Sequence, residues 1–219
     1  MTASGSKSTP AVGFLTVCRH RELGLFGGLL LLNQGGRPLE FHCTAPVKPN
    51  RAQEILYGPT LEPYLYGEQI AHTLLGKAKT TPGLLFTDRE PVLAVRELVD
   101  IPVALVDCES RTDESPEGSD GEFRRVDGPH AQAAGSPHLL TSFQYGRHGL
   151  SVARNHAADQ AAIERRCQTL AADFDLSEPF TRIREAIQEA QRLPGNPTAF
   201  AARCVDRPVS RRLHLPSSP

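Results

Sequence analysis

The sequence predicts a mixed α/β protein in which an antiparallel meander of three strands is followed by a helix, a β–α–β unit and C-terminal helices. The first observation is an apolar run that ends at residues 33–36 (Asn-Gln-Gly-Gly), because Asn and Gly readily adopt the positive φ of hairpin turns. The second is the alternation of apolar and polar residues after that turn, which is typical of a strand. The third is a helical pattern between two later apolar segments, 84–86 and 103–106.

The meander comprises three predicted strands. The first covers 11–17, and the second covers 26–32, where a continuous apolar run is typical of a strand buried on both faces. The third strand begins near Pro38, and its expected inward face carries Leu39, Phe41 and Cys43. The opposite face, which carries Glu40 and His42, is expected to be turned towards solvent.

Two helices are predicted after the meander. Asn50 and Gln53 have the spacing of a capping box, so a helix is expected over 51–57. A second helix is expected over 61–75, and Gly67 within it marks either a kink or a close helix crossing.

The β–α–β unit predicts a parallel part of the sheet. The strands at 84–86 and 103–106 are joined by a short helix that begins near Pro91. Asp88 and Asp107 follow these two strands, and the carboxyl ends of parallel strands are where functional sites collect.

The C-terminal half begins with a change of composition. Residues 108–138 are rich in Gly, Pro and Ser and nearly free of aliphatic side chains, which predicts a disordered insertion. A strand is then expected over 139–145, an Ala-rich helix over 151–172 and a further helix after the N-cap Ser177. The predicted organisation therefore begins with a disordered tail (1–10), an α/β core (11–107) and the disordered insertion (108–138). One strand and two helices that pack on the core (139–193) follow, and the chain then continues as a mostly disordered tail (194–219).

Composition narrows the function classes. The net charge of −1 and the pI near 6.7 do not indicate binding to nucleic acid or to a membrane surface. The five cysteines are spread along the chain without a CxxC pair, which argues against a disulfide framework and a cysteine zinc site. With no apolar run of membrane-spanning length, these features predict a cytoplasmic protein without a cofactor.

Four residues are candidates for catalysis. Asp88 and Asp107 could together hold Mg²⁺ at neighbouring strand ends, although Asp88 could equally be a plain helix N-cap. His148 and Asp159 belong to a dense polar cluster with Asn155 and His156, which could form an acid–base or metal site. The alternative interpretation of this cluster is a solvated helix face beside a surface turn.

The order of the predicted elements resembles that of the ribonuclease H-like fold. Three fragments are similar to motifs of that family, namely 50–54 on the first helix, 87–88 at the end of the fourth strand and 148–159 near the last helix. The resemblance implies metal-binding carboxylates at Glu54, Asp88 and Asp159, with His148 as an assisting base.

The chain also departs from the family's pattern. Its first strand has no acid over 14–18, where the family carries an essential one, and Gln53 stands where the family has Glu. Two-metal chemistry depends on such carboxylates, so the departure bears directly on catalysis.

The leading functional hypothesis is a non-catalytic domain that binds a protein partner or another ligand, or that self-associates. Its interface is expected at the edge of the hairpin or on the C-terminal helices. The alternative hypothesis is a metal-dependent phosphoesterase or nuclease-like enzyme that uses Mg²⁺ and the carboxylates at the strand ends.

Overall fold

A computed structural model describes residues 11–107, 139–171 and 174–192. Within these ranges seven strands form one mixed sheet, namely β1 Val12–His20, β2 Gly24–Leu32, β3 Pro38–Cys43, β4 Leu84–Thr87, β5 Val103–Val106, β6 Leu140–Tyr145 and β7 His148–Ala153. Their order across the sheet is β3-β2-β1-β4-β5-β7-β6. The mixed α/β fold predicted from the sequence is confirmed.

The helical elements lie between and after these strands. They are α1 Arg51–Tyr57, a 3₁₀ turn Gly58–Thr60, α2 Leu61–Pro63, a π-helix Tyr64–Ala71, α3 His72–Lys77, 3₁₀ helices Glu90–Glu97 and Arg154–His156, α4 Asp159–Cys167 and α5 Glu178–Arg192. Residues 61–77 form one continuous helical segment, which we call the central helix.

The strand directions agree with the predicted meander and β–α–β unit. β1 pairs antiparallel with β2, and β2 pairs antiparallel with β3. β4 runs parallel to both β1 and β5, with Phe14 opposite Phe86 and Thr87 opposite Leu105. The likeness of this strand order to the ribonuclease H-like fold stays a prediction.

Two apolar cores cover the two faces of the sheet. Leu30 and Leu32 of β2 pack on one face with α4 and α5. Leu29 and Leu31 pack on the other face with the central helix and the 3₁₀ helix Glu90–Glu97. β2 is therefore buried on both faces, as its continuous apolar run predicted.

Glycines allow the helices to approach the sheet closely. A Cβ atom on Gly27 would lie 2.1 Å from Cγ2 of Ile70 in the central helix. A Cβ atom on Gly28 would lie 2.3 Å from Cγ2 of Ile183 in α5. Gly67 marks the predicted close crossing, because a Cβ atom there would lie 2.8 Å from Cβ of Ala94.

The predicted helix from Ser151 is wrong at its start. Residues 148–153 form β7, which pairs with β6 across a turn at Gly146, and α4 begins only at Asp159. Leu150 and Val152 are buried in the core below α4. Their spacing of two residues is that of a strand, and burial of both side chains favours the strand although the segment that follows is rich in Ala.

The prediction that Glu40 and His42 of β3 face solvent is also wrong. His42 is 4% exposed, whereas Leu39 on the expected inward face is 50% exposed. His42 Nε2 lies 2.9 Å from Oε2 of Glu40, and the same oxygen accepts a hydrogen bond from the backbone N–H of Lys79. The loop before β4 covers this polar pair, and the sequence of β3 alone carries no sign of that loop.

The predicted tails at 1–10 and 194–219 and the predicted insertion at 108–138 lie outside the described residues. Among the helices that are described, none is long and apolar enough to cross a bilayer.

Candidate functional site

Three of the four candidate residues lie at one end of the sheet, where the parallel strands β4 and β5 have their carboxyl ends. Asp88 follows β4 and Asp107 follows β5, and these strands are parallel neighbours. His148 begins β7, whose Gly149 carbonyl accepts a hydrogen bond of 2.8 Å from the N–H of Asp107. The parallel unit thus brings both aspartates to the same end of the sheet. The side chains of Asp107 and His148 do not meet there, because they line different cavities.

Asp88 is neutralised by a cation of the protein itself. Its side chain is 3% exposed, and its Oδ2 accepts a hydrogen bond from Nη2 of Arg184 in α5. Oδ1 is buried without a hydrogen-bond partner among the described residues. The alternative role of Asp88 as a helix N-cap is wrong, because Arg89 holds that position and no side chain caps the helix.

Asp159 lies away from the other candidates. β7 is antiparallel to β5, so its six residues carry the chain about 16 Å from His148 to the opposite sheet edge. Asp159 follows that end of β7 and receives two hydrogen bonds from Arg96, of 2.6 Å from Nε and 3.3 Å from Nη2. This pair ties the start of α4 to the 3₁₀ helix Glu90–Glu97.

The other two residues of the predicted polar cluster, Asn155 and His156, both contact Glu97. Asn155 Nδ2 donates to Oε1 of Glu97, and His156 Nε2 lies 3.1 Å from the same oxygen. His156 and Asp159 therefore have separate partners, on Glu97 and Arg96. Across the described ranges, no group of three or more His, Cys, Asp or Glu residues is placed to hold a metal ion.

His148 stands at a cavity of about 320 Å³ beside the β6–β7 turn. Its side chain is 11% exposed. Burial lowers the pKa of His148 and the Arg147 cation lowers it further, whereas the Asp175 carboxylate acts in the opposite direction. The imidazole is therefore neutral at neutral pH, unlike a histidine placed to hold a charge.

α1 is a candidate site that the sequence analysis missed. None of its residues is buried, and Ile55 and Leu56 are 66% and 81% exposed. Together with the exposed Ala52, they form an apolar strip at i, i+3 and i+4, which we call the docking face. The spacing was visible in the sequence, but a core-facing helix of a globular protein shows the same spacing.

Local contacts hold α1 in place although its outer surface is free. The predicted capping box is confirmed, because Asn50 Oδ1 accepts from the N–H of Gln53 at 2.9 Å and Gln53 Oε1 accepts from the N–H of Asn50 at 3.0 Å. At the other end, the Tyr57 ring stacks on Tyr64 of the central helix with 4.1 Å between centroids. The docking face is thus carried on a fixed helix.

No protein-family model matches the chain, and no curated protein is significantly similar to it.

Proposed function

We propose that this protein is a non-catalytic cytoplasmic interaction domain that docks a protein partner through α1. The observation that carries the proposal is the exposure of Ile55 and Leu56 on a helix without one buried residue. Complete burial of an aliphatic side chain of this size stabilises a complex by about 1.5–3 kcal/mol. Two such side chains on one face supply the apolar anchors of an interface.

The partner is proposed to offer an apolar groove that accepts a helix. The spacing of Ala52, Ile55 and Leu56 is that of helices that lay one face into such grooves. Arg51 and Glu54 form an exposed ion pair beside this face, which suits the polar rim of an interface. The caps of α1 lower the entropy lost on binding, because a helix of seven residues is only marginally stable by itself.

The carboxylates support the non-catalytic part of the proposal. Asp88 is paired with Arg184, and Asp159 with Arg96, so a Mg²⁺ ion at either would have to displace a guanidinium group. Asp107 is exposed at the edge it shares with Asp88, and Asp159 follows the opposite one. The alternative of a metal-dependent phosphoesterase has less support than docking.

The hairpin edge is a weaker candidate interface than α1. β3 begins with Pro38, which has no N–H to offer a further strand, and Leu39 is its one exposed large apolar residue. Leu39 therefore provides a matched control, since it is an exposed leucine outside the docking face.

The proposal is tested by affinity capture from cell extract with the full-length wild type, Leu56→Glu and Leu39→Glu, followed by quantitative mass spectrometry. We expect at least one protein to be retained by the wild type and by Leu39→Glu but lost with Leu56→Glu. Both substitutions are at exposed positions, so neither is expected to change folding. If every retained protein is unaffected by Leu56→Glu, the proposal is wrong.

A further inference from the structure

The cavity beside His148 is built from an apolar wall and a polar end. Leu170, Phe174 and Leu176 contribute the apolar wall, and Tyr145 adds a second aromatic ring. Its volume of about 320 Å³ is at the lower end of the range of small-molecule sites. Its described lining comes from β6, β7 and residues 170, 171, 174 and 176, and α1 contributes none of it.

The hydrogen bonds of His148 fix its tautomer. Nε2 accepts from the backbone N–H of Leu176 at 3.4 Å and from Nε–H of Arg147 at 3.3 Å. A nitrogen that accepts carries no proton, so the proton of the neutral ring resides on Nδ1. Asp175 Oδ1 lies 3.7 Å from Nε2, which is too far for a hydrogen bond. Nδ1–H is thus the ring's donor, and no described residue accepts from it.

Arg147, which lines the cavity, already has an anionic partner. Arg147 Nη2 and Asp175 Oδ2 form an ion pair of 2.9 Å, and both side chains are exposed to solvent. Burial lowers the pKa of His148 and raises that of Tyr145, so both side chains are neutral at neutral pH. A charged ligand would lose its hydration without gaining a free counter-charge.

These features define a ligand class. We propose that the cavity binds a small uncharged aromatic compound whose carbonyl oxygen accepts a hydrogen bond from Nδ1–H of His148. The ring of such a compound packs against Phe174 and Leu170, and its carbonyl accepts from Nδ1–H of His148, for which the described residues offer no acceptor. This site is independent of the docking face on α1.

The test uses benzamide as the probe, because it combines an uncharged carbonyl with an aromatic ring. The full-length protein, labelled with nitrogen-15, is titrated to about 10 mM probe at neutral pH, and proton–nitrogen spectra are recorded. We expect saturable shifts at residues 145–148 and 174–176, a shift of the His148 Nδ1–H signal, and binding of benzoate that is roughly tenfold weaker or absent.

Two variants separate the donor from general apolar binding. His148→Phe keeps a ring but removes Nδ1–H, so it is expected to weaken benzamide binding roughly tenfold. His156→Phe replaces a histidine outside the cavity and is expected to leave binding unchanged. Equal affinity of wild type and His148→Phe, or shifts that map elsewhere, would overturn the proposal. If His148→Phe does not fold, the wild type still decides, because a proton on Nε2 or an unshifted Nδ1–H at saturation also overturns it.

Discussion

At the residue scale, Asp88 is paired with Arg184 at the end of the sheet that also carries Asp107. The position of Asp88 was predictable, because a short apolar segment identifies the strand it ends. Its partner was not predictable, since Arg184 is 96 residues away on a helix that also carries Arg182 and Arg192. Local sequence patterns carry no information about such a long-range ion pair, so the cation that faces Asp88 is found only in the structure.

Removal of Arg184 is expected to be destabilising. In Arg184→Ala the buried Asp88 carboxylate loses its cation, but the Arg184 side chain is one-third exposed, so water can partly replace it and the cost is about 1–3 kcal/mol of unfolding free energy. Arg51→Ala is the matched control, because its pair with Glu54 is exposed and worth at most about 1 kcal/mol. Urea unfolding measures both variants. Equal midpoints for Arg184→Ala and Arg51→Ala would contradict the buried pair.

Glu40 is expected to make stability depend on pH under acidic conditions. Burial alone raises the pKa of Glu40, but hydrogen bonds from Thr80 and His42 and from the backbone of residues 79 and 80 lower it to about 2. The ordinary value is 4.5, so the unfolded chain takes up the proton first as the pH falls. This contribution is complete above pH 4.5 and is lost between there and about pH 2.

The measurement is urea unfolding of wild type and Glu40→Gln across that range. We expect the wild type to be more stable above pH 4.5 and the difference to shrink as the pH falls towards 2. A difference that is constant from neutral to acidic pH would show that the carboxylate of Glu40 does not have a lowered pKa.

Among the elements, α1 and β7 show what local sequence can and cannot specify. α1 was predicted because Asn50 and Gln53 lie close together in the chain and cap it directly. β7 was missed because its two core residues, Leu150 and Val152, offer only one period of alternation before an Ala-rich stretch. Pairing with β5 and β6 decides that segment, and such pairing is not a local property.

Loss of the N-cap is expected to loosen α1 without unfolding the protein. Asn50→Ala removes the side chain that accepts from the N–H of Gln53, which costs about 1 kcal/mol in the helix. Hydrogen exchange of the α1 amides is expected to become roughly fivefold faster, while amides of β2 keep their protection. Unchanged exchange in α1 would mean that the capping box does not hold this helix.

At the scale of the whole molecule, β2 joins the two cores. Its leucines were predicted to be buried on both faces, and the helices on each side approach its backbone at Gly27 and Gly28. Which helix packs on which face was not predictable, because these contacts join residues that are far apart in the chain. Among the described residues, the core beneath α4 and α5 holds four buried phenylalanines, whereas the core on the other face holds none. The exposure of the docking face on α1 was not predictable for the same reason, since it depends on which surfaces the other elements cover.

A methyl group at Gly27 is expected to disturb the contact between β2 and the central helix. Gly27→Ala places Cβ against Ile70, and overpacking of this kind costs about 1–3 kcal/mol. Gly76→Ala is the control, because nothing lies within 4 Å of its Cβ position and Ala favours the helix by up to about 1 kcal/mol. The midpoint of thermal unfolding should thus fall in Gly27→Ala and rise in Gly76→Ala. An unchanged midpoint in Gly27→Ala would contradict the close approach of Ile70 to β2.

The docking proposal is tested most directly by the affinity of a purified captured partner for the full-length protein, measured by isothermal titration calorimetry. The wild type and Leu39→Glu are expected to bind equally, and Leu56→Glu at least roughly tenfold more weakly, because a buried anchor is replaced by a charge. Circular dichroism of the three proteins controls for folding. Equal affinity of Leu56→Glu and wild type for every captured partner would contradict docking through α1.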